Sequence, residues 1–380
     1  MVASATSIDS LLAHPGGAGP DTRGHRLLGR SRDGRPIHGF RLGDGPVHVS
    51  LIAGCHADEP VGPLLLDKLV CFLAEGSREA SRAFRPDLVT WTLVPDVNPD
   101  GAAANSGWQE PPPDLDHGYD LARYLGAVVR EPPGDDLEFG FPRGPDDEGA
   151  RPEARAVAEF LREAAPLHLH ATLHGMAFAA GPWFLLEPAW VERTAEMRER
   201  IRRRVRELGY RLHDIDRKGE KGFRRIDEGF STRPDSKAMA EHFRRRGDEA
   251  TADLFRPSSM EFVRSLGGDP LTLVSEMPLF LVGDPETPGG RTGEERSDSR
   301  GPARPRLPED AEGRQRFRDW LGRLQKAGDG ESVRREGAAA GVCPMILRDQ
   351  MHLQASYLLE ALRVVADTPW DGISNHAPGL

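Results

Sequence analysis

The chain has 380 residues, with 50 Lys+Arg against 60 Asp+Glu and a formal net charge of −10. That length suits one large or two small domains. The acidic balance argues against a nucleic-acid partner, and the lack of any run of about 18 apolar residues argues against a membrane-spanning helix. Hydrophobic residues make up 38% of the chain, enough to bury a substantial core, while 42 Gly and 32 Pro announce many turns. The first 20 residues show no basic stretch followed by an apolar one, so no secretory signal is read and the expected residence is cytoplasmic. Cys55, Cys71 and Cys343 have no paired short spacing and read as reduced thiols rather than a disulfide framework or a cysteine-based zinc site.

In chain order, the first 45 residues are polar and Gly-rich, and Asp33-Gly34 between extended apolar positions predicts a hairpin. Short β-branched apolar runs at 47–54, 88–95, 167–174, 183–186 and 271–276 are the expected strands. Helical periodicity covers 61–73, 153–165, 191–208 and 350–366. The seven arginines of 191–208 lie off its apolar side and read as a solvated face. Alternation of strands and helices predicts an α/β fold, a mixed but largely parallel sheet flanked by helices. Residues 1–282 form the expected main domain, with an expected charge-rich insertion at 209–268. Residues 283–310, dense in Pro, Gly and charge, read as a flexible loop before a C-terminal helical segment, 311–380, packed on the core.

Ligands of an open parallel sheet gather beyond the carboxyl ends of its strands. That rule selects four clusters: His56-Ala57-Asp58-Glu59 after the first parallel strand, Asp96 to Gly101 after the second, His174 at the end of the third and Glu276 at the end of the last. His56, Glu59 and His174 form a two-histidine, one-carboxylate set of the kind that holds a catalytic zinc and leaves a position for water. An isolated His-x-x-Glu is usually a surface pair; its place after a strand, with a second strand-end histidine 115 residues after Glu59, changes its weight. His168, His170 and His174 share one parity, and only His174 reaches the rim; His170 reads as a satisfied core histidine. Asp58 could compete with Glu59 as the carboxylate ligand. Glu276 ends an apolar run, where a carboxylate is costly to bury without a task. It fits a general base beside an activated water, the bland alternative being a pair with a nearby arginine.

These motifs resemble those of the zinc metallocarboxypeptidase family from about residue 28 to about residue 281. The segment Gly29 to Ile37 is similar to the family's opening hairpin, His56-x-x-Glu59 to its first zinc motif, and Asn98-Pro99-Asp100-Gly101 to its Asn-Pro-Asp-Gly turn. His174 and Glu276 occupy the places of the third ligand and the catalytic glutamate. The resemblance implies one zinc per chain, held by His56, Glu59 and His174, and hydrolysis of a peptide or amide bond next to a free carboxylate. That ligand set is itself a known carboxypeptidase example. Gly118 to Arg123 resembles the segment that binds the substrate carboxylate, which implies that role for Arg123, whose fork suits it.

The departures bear on substrate. Ala122 stands where an asparagine is usual, and residues 102–117 hold no arginine to steady the oxyanion. Arg143, Arg224 and Arg225 are the candidate substitutes. No tyrosine lies between Arg211 and Glu276, and Tyr210 reads as packing. Three readings follow: a metallocarboxypeptidase, a zinc-dependent deacylase or desuccinylase of small N-acyl amino acids, and an idle binding module for carboxylate-ended ligands.

Overall fold

The computed structural model describes residues 2–75, 82–85, 87–283, 311–326 and 329–368. The chain opens with a helix that the polar opening segment does not announce, α1 (Val2–Ala13), and then the predicted hairpin, β1 (His25–Arg30) and β2 (Pro36–Leu42). There follow β3 (Val47–Ala53), α2 (Val61–Glu75), β4 (Val89–Val94), α3 (Pro99–Gln109), α4 (Leu121–Ala127), α5 (Pro152–Ala164), β5 (Leu169–Ala179) and β6 (Trp183–Leu186). The second half supplies α6 (Ala195–Glu207), β7 (Arg225–Asp227), β8 (Phe230–Thr232), α7 (Ser236–Arg244), α8 (Glu249–Ala252), α9 (Ser259–Ser265) and β9 (Leu271–Val282). After it come α10 (Ala311–Lys326), α11 (Gly330–Ala339), β10 (Val342–Pro344) and α12 (Leu347–Ala366).

The strands form one mixed sheet in the order β1-β2-β4-β3-β5-β9-β6-β8-β7, with β10 paired to β9. Its centre, β4-β3-β5-β9, is parallel, and antiparallel pairs flank it. Those central strands are apolar on both faces because helices cover both. Val49, Leu51 and Ala53 face α2 in a core cluster that also takes in α1, α6 and α12, while Ile52 points the other way, toward α5, in a second cluster that includes α9. Each fully buried Leu, Val or Ile contributes roughly 1.5–3 kcal/mol, and α12 alone buries Leu353, Leu358 and Leu362 among others. Glycine is required where α2 crosses β5: a Cβ on Gly62 would lie 2.5 Å from the Leu173 carbonyl oxygen.

Residues 209–268 do not hang off the core. They contain β7 and β8, and β8 pairs in parallel with β6 to extend the sheet. The C-terminal segment is not purely helical either, since β10 adds to β9. Residues 284–310, which hold nearly all of the expected flexible loop, lie outside the described residues, as do 369–380. Two strands outrun their sequence limits: β5 and β9 stay in register well past His174 and Glu276, as far as Ala179 and Leu281.

Candidate active site

β3 ends at Ala53, and the next residue, Gly54, whose φ is +78°, turns the chain sharply and delivers His56 and Glu59 beyond the strand. His56 Nδ1 lies 2.8 Å from Glu59 Oε1, and His174 Nδ1 lies 2.8 Å from Glu59 Oε2 and 3.2 Å from His56 Nδ1. Glu276 is the register partner of His174 across β5 and β9. Neighbours in parallel register project to the same face, so the carboxyl group stands beside the triad. It is not one of the groups whose ligating atoms all lie within 4.8 Å of one another.

A group that sequence reasoning missed completes the cluster. His174 Nε2 is 3.0 Å from Glu138 Oε2, and both side chains are buried. Glu138 comes from the long connection between α4 and α5. That connection is moored by the Leu137 amide to the Cys55 carbonyl and by the Arg256 amide to the Phe139 carbonyl. The available signal was local: a single glutamate between Leu137 and Phe139, both buried. Cys55 joins Glu138 and His174 in a second group with metal-ligand chemistry, but burial pushes its thiol up to about 12, away from thiolate.

The electrostatics follow from carboxylates and imidazoles packed together. Burial opposes protonation of His56, yet the charge and hydrogen bond of Glu59 raise it to about 9. For His174 burial is likewise outweighed, here by Glu59 and Glu138, and its pKa is well above the ordinary value. The same imidazoles hold Glu59 well below the usual carboxylate range against its burial. Glu276 moves the other way: burial pushes it up to about 8, with Glu59 and Glu138 adding and the two histidines opposing. The carboxylates draw protons onto both imidazoles, and a divalent cation would supply that same positive charge in place of the two protons. A tetrahedral zinc with bonds of about 2.0–2.1 Å needs donor separations of roughly 3.3 Å. The observed 2.8–3.2 Å reaches that with an opening of a few tenths of an ångström. The donor set therefore fits zinc, with Nδ1 of each histidine turned inward and Nε2 of His174 held from behind.

His170 is fully buried with both nitrogens matched, to Ser50 Oγ at 2.7 Å and Ser259 Oγ at 3.0 Å, as expected of a core histidine. Asp58 turns away from the triad: its Oδ2 accepts from Arg130 Nε at 2.6 Å and from the Tyr124 hydroxyl at 3.3 Å. Asn98-Pro99-Asp100-Gly101 is the start of α3, where the Asn98 side chain accepts from the Gly101 amide at 3.1 Å. Arg123 is half exposed, with Nη2 3.3 Å from Glu110 and 3.4 Å from the Gly107 carbonyl. Arg143 donates to the Phe255 carbonyl and Arg225 to Asp214. Arg224 sits beside Arg225, and its amide donates to Thr232 Oγ1. The guanidinium that feels the Glu59 charge is that of Arg130, a residue the sequence reading passed over. Tyr210 donates to Asp349 at 2.6 Å and is a packing residue.

A sequence model of the zinc carboxypeptidase family matches residues 18–210, just over half of the chain, and that span carries all three members of the triad. The chain belongs to the zinc carboxypeptidase family. It is a zinc metallopeptidase, and its cluster of His56, Glu59 and His174 is consistent with one zinc site. Among solved structures, this family member is similar to a metallo-carboxypeptidase from Burkholderia cenocepacia, at 15% identity and a TM-score of 0.42, over 96% of this chain and 68% of the other. It is similar also to a Shewanella amazonensis protein described as a metallopeptidase, at 17% and 0.43, over 71% and 83%. A third is carboxypeptidase A from Helicoverpa armigera, at 13% and 0.41, over 88% and 71%. No curated protein sequence matches this chain. No helix among the described residues is long and apolar enough to cross a membrane.

Proposed function

We propose that this zinc carboxypeptidase relative hydrolyses a peptide or amide bond adjacent to a free carboxylate, as a metallocarboxypeptidase. The observation that carries the reading is the meeting of His56, Glu59 and His174 with Glu276 in register beside them. In this reading His56, Glu59 and His174 hold the metal. Bound zinc supplies Lewis acidity, polarising a carbonyl and lowering the pKa of water.

The chain's own residues supply the rest. Glu276 takes the proton of the attacking water and returns it to the departing nitrogen, one carboxylate serving as base and then acid. Arg123 receives the substrate carboxylate, exchanging an exposed contact with Glu110 for a bidentate one. Arg130, held through Nε by buried Asp58 and through Nη2 by the Tyr124 hydroxyl at 3.2 Å and close enough to feel the Glu59 charge, is the guanidinium we assign to charge developing on the carbonyl oxygen.

The test is incubation of the zinc-loaded protein with a diverse synthetic peptide pool, with a chelated sample alongside, read by mass spectrometry. Chelator-sensitive loss of single C-terminal residues is the expected result. Turnover confined to N-acyl amino acids would replace this reading with the deacylase one.

A further inference from the structure

A cavity of about 400 Å³ opens beside the triad, with His56 and Glu59 in its wall and Asp96, Asn98, His38 and Gln109 lining the remainder among others. Most of its polar groups already have partners. Asn98 is engaged by Glu131 and by the amide of Gly101. His38 Nδ1 is 2.8 Å from His25 Nε2, and Gln109 donates to the Ala57 carbonyl at 2.7 Å. Asp67, also in the wall, accepts from the amides of Gly17 and Ala18 at 2.7 and 2.8 Å.

Asp96 is different. Its carboxylate accepts one hydrogen bond, from the Asn98 amide at 2.9 Å, and no cationic side chain pairs with it among the described residues. Burial pushes it up to about 6, with only the Asn98 amide opposing and the charges of Asp100 and Glu131 adding. The arginines that could have answered it are committed elsewhere, Arg35 to Asp100 at 2.8 Å and Arg151 to Glu131 at 2.8 Å. The carboxylate also abuts the turn that leads to the first histidine. A Cβ on Gly54, two residues before His56, would lie 2.6 Å from Asp96 Oδ1. A half-buried carboxylate that lines a cavity with one hydrogen bond and no cationic partner leaves an acceptor there for an arriving cation.

We propose that Asp96 forms a cation subsite beside His56 and Glu59, and that the substrate carries an ammonium or guanidinium group that docks there while its carboxylate is held by arginine. This deepens the hydrolase reading and rests on it. The substrate class is then a small peptide or N-acyl compound with a free amine or a basic side chain near the scissile bond.

The experiment uses the zinc-loaded full chain and paired peptides that differ only in charge: lysine against norleucine at each position, and a free against an acetylated N-terminus. The two kinds of pair separate a side-chain cation from the α-amine. Binding is read by isothermal titration calorimetry and cleavage by mass spectrometry. A charge-assisted contact in a desolvated cavity predicts about 10–100-fold tighter binding of the cationic member. In Asp96→Asn, which keeps the oxygen that accepts from Asn98, the cationic member should fall to the level of its neutral partner. Equal binding within every pair, or a preference that survives in Asp96→Asn, overturns the subsite. If Asp96→Asn does not fold, the paired comparison on the unaltered protein decides. Cleavage without charge preference would remove the subsite and leave the hydrolase; charge preference without cleavage of any peptide would do the reverse.

Discussion

The contact between His174 Nε2 and Glu138 gives the sharpest prediction about the metal centre. The two groups are 3.0 Å apart with side chains 2% and 9% exposed, so water cannot stand in for the carboxylate if it is lost. A carboxylate behind a metal-bound imidazole fixes the ring and raises its basicity, and removing such a partner typically costs 10–100-fold in metal affinity. Glu138→Gln keeps an acceptor but removes the charge, so zinc affinity should fall by about tenfold, or about 1.4 kcal/mol. Glu138→Ala also strands a buried N–H and should approach a hundredfold, about 2.7 kcal/mol. The assay is a competition titration against a chromophoric chelator at fixed pH. An independent readout is the rise in melting temperature on adding zinc, which shrinks as Kd rises because ligand stabilisation follows the ratio of free zinc to Kd. Unchanged affinity in both variants would show that Glu138 does not act through the ligand. Loss of affinity on Cys55→Ser instead would move the centre to the Cys55, Glu138 and His174 group.

Glu276→Gln should retain stoichiometric zinc by elemental analysis while turnover falls about 10²–10⁴-fold, the usual range for a removed general base; full turnover would refute its role. Arg233→Met should destabilise the fold by about 2–3 kcal/mol, below the usual cost of a wholly unpaired buried charge, because buried Glu187, which accepts from Arg233 Nη2 at 2.6 Å and from Thr272 at 3.1 Å, keeps Arg264 Nε at 3.5 Å as its remaining cation. Most of that should return in the double variant with Glu187→Leu, as denaturant melts would show. Acid should destabilise the protein through its buried histidines. Burial lowers His170 to about 3, while burial together with neighbouring positive charge lowers His213 and His352 to about 4. At these three histidines the unfolded chain binds more protons than the folded one between about pH 6.5 and pH 4, which outnumbers the opposite contribution of Asp96 and Glu276, both held above the usual carboxylate range, so stability falls as pH drops through that window. Melting temperatures that stay level from about pH 7 to about pH 4.5 would contradict this.

Much of the architecture was legible because the central strands are short β-branched runs ended by turn residues, and because the strand-end rule picks out His56, Glu59, His174 and Glu276 without knowledge of the fold. What escaped was of two kinds. Glu138 and Arg130 lie in an irregular connection, where no periodicity ties a residue to a position in space; they reach the site through backbone contacts such as Leu137 to Cys55. The sheet-extending strands β7, β8 and β10 are three residues each, too short to show alternation. The charge of 209–268 disguised its β8, although Phe230 and Ser231 are buried there. Asp100, read only as part of a turn, proves to be the anchor of the opening hairpin, accepting from Ser31 at 2.6 Å and Arg35 at 2.8 Å.

One contact ties the site to the last long helix in time as well as in space. Gln354 on α12 donates to the carbonyl of His174 at 3.1 Å and to Ser275 Oγ at 3.2 Å, across a separation of 180 residues from His174. The backbone that carries the second histidine, and the residue just before Glu276, are thus braced by a helix made long after both. During synthesis the triad's residues emerge early, but their brace arrives only when α12 has cleared the ribosome. Competence of the site is therefore tied to completion of that helix, and a nascent chain halted before Leu347, where α12 begins, would carry every proposed catalytic group without the support that aligns them.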